Sequence, residues 1–502
     1  IDVRGANWVP PEPVPGLGDE AGRTTRLLER LAEASATMVR AWGGGPVGSE
    51  TFYDHCDALG LLVWQDFPFA CSTYPSFDRD WMVEVEEEAR QAVRRVRNRA
   101  SLALWCGNNE VENGLAGPKW TDSAMAWRDY KALFDTLLER VVKTDDGQTD
   151  YWPGSPHSPS GDRMDFNAEG SGDGHLWSVW HGGADPASLA ESRHRFVSEF
   201  GMQSLPSPAT LGRRMAPDQR NLTSPQAEHL QRAGGGLAKL LDYVTREHRL
   251  PHAPSDWCWL TQIVQAETLA LGVEHWRRSR PRSGGSLVWQ WNEPWAAPSW
   301  SVIDRDGVPK AAFHALARAW APSSVSLDVD TAAGRVDIWA VNDDAAATDL
   351  AVRATPIDPA GRPIGEPRHF TDSLPRHRAK RLGRVDLGAI ATETRRGVNE
   401  ILLLVERTDR EGPALLAKRV PWKAIPLLDP RLGAEVIERT DEGALVELSA
   451  EALAPWTFLP GCTATAAGTS FVHVVPGRPQ RVLLPTFRSP CRPLPRSLFD
   501  LR

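Results

Sequence analysis

Short apolar runs alternate with helical patterns along residues 1–320. Residues 1–6 read as a strand followed by a Pro-rich loop, 24–34 as a helix, and 38–41 as a strand ending in Trp42-Gly43-Gly44-Gly45. The pattern then repeats, with a helix over 50–59, a buried strand over 62–65, a helix over 80–97, a strand over 102–106 and a helix over 123–142. The stretches 150–160 and 170–183 are looser and rich in Gly, Pro, Trp and His. A strand over 195–199, a long amphipathic helix over 257–278 and a strand over 286–290 complete the series. Repeated strand–helix units predict a parallel sheet. About eight such units fit a (β/α)8 barrel better than an open sheet.

After Trp320-Ala321-Pro322 the period of the pattern drops to two. Segments 336–341, 349–355, 400–405, 434–438 and 444–448 alternate apolar and polar positions between turn residues, as strands of a β-sandwich do. The expected fold is multidomain. A (β/α)8 TIM barrel over 1–321 carries the chemistry. Two small immunoglobulin-like β-sandwiches follow, over 322–427 and 428–502, with little helix in either.

Composition narrows the function classes. The 502 residues are 41% apolar and 24% charged, ordinary for a globular protein. The net charge of −8 is spread along the chain, which disfavours a nucleic-acid partner. No apolar run reaches the ~18 residues of a membrane span, so no membrane partner is expected. The six cysteines are widely spaced, with no CxxC or Cys/His pattern. No metal and no cofactor is therefore expected, and free thiols favour a reducing, cytoplasmic setting. The chain has 21 Trp against 5 Tyr. Trp8, Trp42, Trp152, Trp180, Trp295 and Trp300 fall in Gly/Pro-rich stretches. Any one of them could be core, but a set in loops suggests sugar binding, since a pyranose C–H face stacks on a flat indole.

Polar residues end the predicted strands in register: Asn7-Trp8, Arg40 with Trp42, Gln65-Asp66, Asn108-Asn109-Glu110, Trp180-His181, Glu199, and Trp289 to Asn292. Barrel active sites lie at that C-terminal face. Glu110 and Glu199 each follow an apolar strand, where a carboxyl is partly desolvated. Either alone could cap a helix or pair with an arginine. Together they match the two carboxylates of glycoside hydrolysis. Other chemistries find less support. His55, His157, His175 and His181 are too scattered for a metal site, and Gly43-Gly44-Gly45 lacks the Gly-Lys-Ser/Thr of a phosphate loop. No Gly-x-Ser-x-Gly elbow is present.

Seven motifs carry a family resemblance. They are Arg4-Gly5-Ala6-Asn7-Trp8-Val9-Pro10; Val39-Arg40-Ala41-Trp42-Gly43-Gly44-Gly45; Phe52-Tyr53-Asp54 with Cys56-Asp57; Leu62-Val63-Trp64-Gln65-Asp66-Phe67; Trp105-Cys106-Gly107-Asn108-Asn109-Glu110; Ser198-Glu199-Phe200-Gly201; and Trp289-Gln290-Trp291-Asn292 with Pro298-Ser299-Trp300-Ser301. In order and spacing over about residues 1–320 they resemble glycoside hydrolase family 2, and within it the β-mannosidases. The resemblance implies a retaining, metal-independent enzyme that removes terminal β-D-mannose from non-reducing ends. It implies Glu110 as acid/base, Glu199 as nucleophile and Asn109 as partner of the sugar 2-hydroxyl. Trp42, Trp289, Asn292, Asn7, Asp66, Trp180 and His181 are the further pocket residues it implies. The carboxyls are expected about 5–5.5 Å apart. Burial and the charge of Glu199 are expected to raise the Glu110 pKa, while Glu199 stays ionised on hydrogen bonds.

Two departures qualify the resemblance. Family members carry a jelly-roll and a sandwich before the barrel, whereas this chain begins at the first barrel strand, so N-terminal domains in cis or trans are an expected partner. The stretch Gly45-Pro46-Val47-Gly48-Ser49-Glu50 also lacks the aromatic usual after the triple glycine. Two alternatives stand beside the first reading. One is a family 2 enzyme for another sugar: exo-β-glucosaminidase, β-galactosidase or endo-β-mannosidase. The other is a truncated carbohydrate-binding protein without turnover.

Overall fold

The computed structural model describes residues 2–14, 16, 18–116, 125–159, 162–440, 443–460, 466–485 and 494–501. The chain divides into two compact units, 1–201 with 281–295, and 202–280 with 296–502. These bounds differ from the division at 321 expected from sequence, because the helical segment 202–280 groups with the β-rich part.

The first unit contains the whole parallel sheet. Its strands are β1 (Val3–Trp8), β2 (Met38–Ala41), β3 (Leu62–Asp66), β4 (Leu102–Cys106), β5 (Tyr151–Trp152), β6 (Gly174–Leu176), β7 (Val197–Phe200) and β8 (Gly285–Val288). Their order is β5-β4-β3-β2-β1-β8-β7-β6, the order of a (β/α)8 barrel. The expected strands over 38–41 and 102–106 coincide with β2 and β4. The first strand runs two residues later than its apolar run suggests. Asn7 can lie within it because its amide donates to Ser198 O at 2.9 Å and Val288 O at 3.2 Å, tying β1 to its neighbours.

Between the strands, local signals set the helices. In α1 (Glu20–Glu33) the Asp19 side chain accepts from Gly22 N. In α2 (Glu50–Leu59) the Ser49 side chain accepts from Phe52 N, and Gly60 closes the helix at φ 70°. In α3 (Arg79–Val96) Asp78 caps the start, with Asp80 in the first turn and Arg94 and Arg95 in the last, as the helix dipole favours. The helix expected over 123–142 runs instead over 127–145, with a π-helical centre at Lys131–Leu137; Ser123 lies outside the described residues.

The edges β5 and β6 share no strand ladder. A buried carboxylate joins them. Asp173, just before β6, accepts Trp152 Nε1–H at 2.9 Å, His157 N–H at 3.0 Å and the Ser155 hydroxyl at 2.6 Å, all from the β5 side.

The second unit holds the helices Gly236–Glu247, Pro254–Arg278 and Ala311–Trp320, then two β-sandwiches. In the first sandwich, a three-stranded and a four-stranded antiparallel sheet share a core that includes Val336, Ile338, Val352, Ala354, Leu403 and Val405. The second has a three-stranded and a two-stranded sheet around Val446, Leu448, Val472, Val474, Val482 and Leu484. Cys462 and Cys491 lie outside the described residues; Cys56, Cys71, Cys106 and Cys258 are free thiols.

Candidate active site

Arg40, at the end of β2, is the hub of the site and is fully buried. Its Nε and Nη2 reach Asp66 Oδ1 and Oδ2 at 3.2 and 2.8 Å. Its Nη1 donates to Asn7 Oδ1 at 3.1 Å and to Glu199 Oε1 at 2.8 Å. Nη2 also donates to Asn109 Oδ1 at 2.8 Å. Burial alone would push its pKa down, but the charges of Asp66 and Glu199 outweigh burial and hold it above its usual range. A planar guanidinium suits this task, since one rigid fork serves five acceptor oxygens on four side chains.

Glu199 lies within β7 and its side chain is 4% exposed. Glu110 lies four residues beyond β4, in a left-handed turn at φ 60°, and its side chain is 16% exposed. Side-chain and backbone bonds hold that turn. Glu110 N donates to Ser155 O at 2.7 Å, and Asn108 Oδ1 accepts Val111 N at 3.1 Å. A β- or α-region residue is the easier choice at most positions, so a non-glycine residue in αL points to a constrained site.

Between the two carboxylates stands His175, on β6. Its Nδ1 is 2.8 Å from Glu110 Oε1 and 3.4 Å from Glu199 Oε2. One donor atom from each of the three residues lies within 4.8 Å of the others. A metal ion could use such a spacing, but Arg40 at 2.8 Å from Glu199 sets a fixed positive charge against a cation there.

The protonation order is the reverse of the sequence expectation. Burial pushes Glu110 up, but the hydrogen bond and charge of His175, then Arg40 and Cys71, outweigh it and leave Glu110 below the usual carboxylate range. Burial pushes Glu199 up to about 7, opposed by His175 and Arg40 and assisted by Glu110. Burial is the largest cause for both; at Glu110 it is outweighed, with the 2.8 Å hydrogen bond from His175 heading the opposing causes, and at Glu199 it wins. The partners of Glu199 are Arg40 and His175.

The remaining predicted residues separate into groups. Asn109 and Asp66 belong to the Arg40 network and are buried; Asp66 also accepts from Trp64 Nε1 at 2.8 Å and Gly43 N at 3.0 Å. The Asn109 amide donates to Cys71 Sγ at 3.3 Å, and that thiol lies 3.7 Å from Glu110 Oε2. Trp42 and Trp289 pair edge-to-face with centroids 5.1 Å apart, both half-buried. Gly44 makes room for the Trp42 ring, and Gly43 for a close approach of the backbone at Phe67. A Cβ on Gly44 would lie 1.9 Å from the Trp42 ring, and one on Gly43 would lie 2.6 Å from Phe67 O. Asn7 and Asn292 are fully buried ties, the latter donating to Val9 O at 2.9 Å.

Trp180 is wholly buried, and His181 is exposed against Trp177, 4.9 Å between ring centroids. Neither ends the sixth strand, which stops at Leu176. Sequence reasoning dismissed His175 as scattered, although it is the side chain β6 contributes. A three-residue strand has no periodicity to detect, and the only cue was the isolated His between two glycine-rich turns. Trp8, another loop candidate, packs on Phe52 in the core, 5.3 Å between centroids.

No family model matches the chain. It is 33% identical over 340 residues to β-mannosidase B of Neosartorya fischeri, covering 64% of this chain and 39% of that protein. The same figures hold for β-mannosidase B of Aspergillus terreus. The chain thus spans about two-fifths of the length of these curated relatives. In structure it is similar to the β-D-mannosidase of Dictyoglomus thermophilum, with a TM-score of 0.88 at 27% identity, over 97% of this chain and 58% of that one. The exo-chitosanase of Amycolatopsis orientalis shares the fold, with a TM-score of 0.72 at 15% identity over 96% of this chain and 60% of that one. In sequence and in barrel architecture, this chain resembles the β-mannosidases of glycoside hydrolase family 2.

Proposed function

We propose that this chain holds the catalytic centre of a retaining exo-β-mannosidase. The observation that carries the reading is the pair Glu110 and Glu199 in one barrel mouth, with a carboxylate oxygen of each within 4.8 Å of the other and of the His175 imidazole. An inverting enzyme needs room for water between its carboxyls, about 6.5–9.5 Å, whereas a retaining one works at about 5–5.5 Å.

Glu199 is the nucleophile. Arg40 fixes Oε1, leaving Oε2 to attack the anomeric carbon, and the guanidinium favours the ionised form the attack requires. Glu110, the more exposed of the two, protonates the departing oxygen and then takes a proton from the water that hydrolyses the glycosyl ester. Trp42 and Trp289 give an apolar wall for the sugar. The Trp42 indole N–H is buried with no hydrogen-bond partner among the described residues. Asn109 meets the 2-hydroxyl by exchanging its bond to Cys71 for one to the sugar. The similarity to β-mannosidases supports mannose as that sugar.

The test is hydrolysis of p-nitrophenyl β-mannoside, β-glucosaminide and β-galactoside, by this chain and by the protein at its full natural length, with Glu110→Ala and Glu199→Ala beside each. Turnover of the mannoside, lost in both variants and releasing β-mannose first by NMR, is expected. Release of α-mannose first would sink the retaining mechanism. Preference for another sugar would sink the substrate, and no turnover at either length would sink the reading.

A further inference from the structure

The position of one proton can be derived from the bonds behind His175. Its Nε2 lies 2.9 Å from Ser155 Oγ. Ser155 Oγ lies 2.6 Å and Ser198 Oγ 2.5 Å from the same oxygen, Asp173 Oδ2. The other oxygen, Oδ1, receives Trp152 Nε1–H and His157 N–H. Four donors converge on this buried carboxyl group, and at 2.6 Å, against 3.3 Å to Ser198 Oγ, it is the nearer acceptor for the hydroxyl proton of Ser155. A hydroxyl has one proton to give, so Ser155 Oγ accepts from His175, and Nε2 keeps its hydrogen. The other ring nitrogen is then the one that can change state, and it faces Glu110 Oε1 at 2.8 Å.

We propose that His175 is a positioning residue that stores the acid proton of Glu110: held as the Nε2–H tautomer by Ser155 and Asp173, it passes one proton between Nδ1 and Glu110 Oε1. The proposal rests on the glycosidase reading for its role in turnover. In the resting pair His175 is imidazolium and Glu110 carboxylate. Transfer of the Nδ1 proton leaves a neutral imidazole and a carboxylic acid. Glu110 then gives that proton to the glycosidic oxygen as the C–O bond breaks and Glu199 bonds the anomeric carbon. In the second step water bonds the anomeric carbon, the ester to Glu199 breaks, and Glu110 takes the water's proton. That proton returns to Nδ1, and the site is restored.

The charges around His175 agree with this resting state. Glu199 and Glu110 raise its pKa above the ordinary value, against burial and Arg40, which lower it. Asp173 lies behind Ser155, and the Cys71 thiol contacts the other oxygen of Glu110. The same imidazole pulls Glu110 below its usual range, so the proton rests on the ring until substrate arrives.

The experiment is 15N NMR of histidine-labelled protein, paired with pH profiles. In the parent at pH 7, His175 is expected with both ring nitrogens protonated. In Glu110→Gln, which is nearly isosteric, its titration midpoint is expected to fall, because an anion at 2.8 Å is lost. In His175→Gln, kcat is expected to fall about tenfold or more with KM little changed. The acidic limb should move to higher pH there, since Glu199 loses a neighbour that lowers its pKa. A neutral His175 at pH 7, or a midpoint unmoved by Glu110→Gln, would overturn the proposal. So would an unchanged pH profile in folded His175→Gln. If no form turns over any glycoside, the NMR arm still decides the proton store, and the glycosidase reading fails separately. If His175→Gln does not fold, the Glu110→Gln titration decides alone.

Discussion

Arg40 and Glu199 are joined by a 2.8 Å hydrogen bond from Nη1 to Oε1, and the two side chains are 0% and 4% exposed. The bond matters because Arg40 also carries Asp66, Asn7 and Asn109, so one cation sets the geometry of the proposed nucleophile and of its surroundings. Removing it would leave two buried carboxylates without their partner. Arg40→Ala is expected to cost about 3–5 kcal/mol of stability, as broken buried ion pairs do. Urea unfolding beside the parent measures it. A loss under about 1 kcal/mol would mean the network is not what holds the barrel mouth.

The proposed acid/base makes a prediction about leaving groups. p-Nitrophenolate departs with little help from a proton, whereas an alkyl or sugar oxygen needs one. Glu110→Gln should therefore slow cleavage of a mannobioside by about 10²–10⁴-fold, the usual contribution of a general acid. The first step with p-nitrophenyl mannoside should slow far less, and stopped-flow release of nitrophenolate separates the steps. Equal losses in the first step on both substrates would remove Glu110 from the acid role.

Gly44 is fixed by the Trp42 ring that lies on it. A Cβ there would sit 1.9 Å from that ring, so Gly44→Ala must displace the indole and break its edge contact with Trp289. The expected cost is about 1–3 kcal/mol from overpacking. A rise in KM should accompany it, since the apolar wall of the pocket moves. Calorimetry and Michaelis kinetics would show both, and an unchanged KM would take the Trp pair out of the sugar site.

Two buried groups make stability depend on pH in opposite senses. His248 is 3% exposed, with no hydrogen-bond partner on either ring nitrogen among the described residues. Burial, then Lys418 and Lys423, push its pKa down to about 3. The unfolded chain protonates it from about 6.5 downward while the folded chain does not, so stability is lost progressively from pH 6.5 to about 3. His248→Leu should flatten that window in urea midpoints. Glu199, raised to about 7, acts the other way. Its folded form binds the proton first, so it adds stability as pH falls from about 7 toward 4.5, and Glu199→Gln should remove that slope. If neither variant changes its slope, other groups govern the pH response.

Sequence pattern revealed the fold well where strands are apolar and helices are capped. The strands at 38–41 and 102–106 and the helix at 50–59 coincide with β2, β4 and α2, because burial and side-chain caps both leave local marks. Glu110 and Glu199 were legible for a related reason: each follows a strand that pattern finds. What pattern missed is built from long-range partners. Arg40 stood out as a polar strand end, yet its acceptors lie up to 159 positions away. His175 sits on a three-residue strand whose meaning comes from residues before β5 and within β7. Trp8 and Trp180 misled in the other direction, because a loop-like neighbourhood in sequence suggested a sugar contact where the fold buries both in the core.

The seam between β5 and β6 offers a last consequence. Asp173 latches that seam, and through Ser155 the same carboxylate fixes which nitrogen of His175 keeps its hydrogen. Closure of the barrel and readiness for acid catalysis are thus one event rather than two. Asp173→Asn should accordingly disarm the site in a chain whose circular dichroism still looks native.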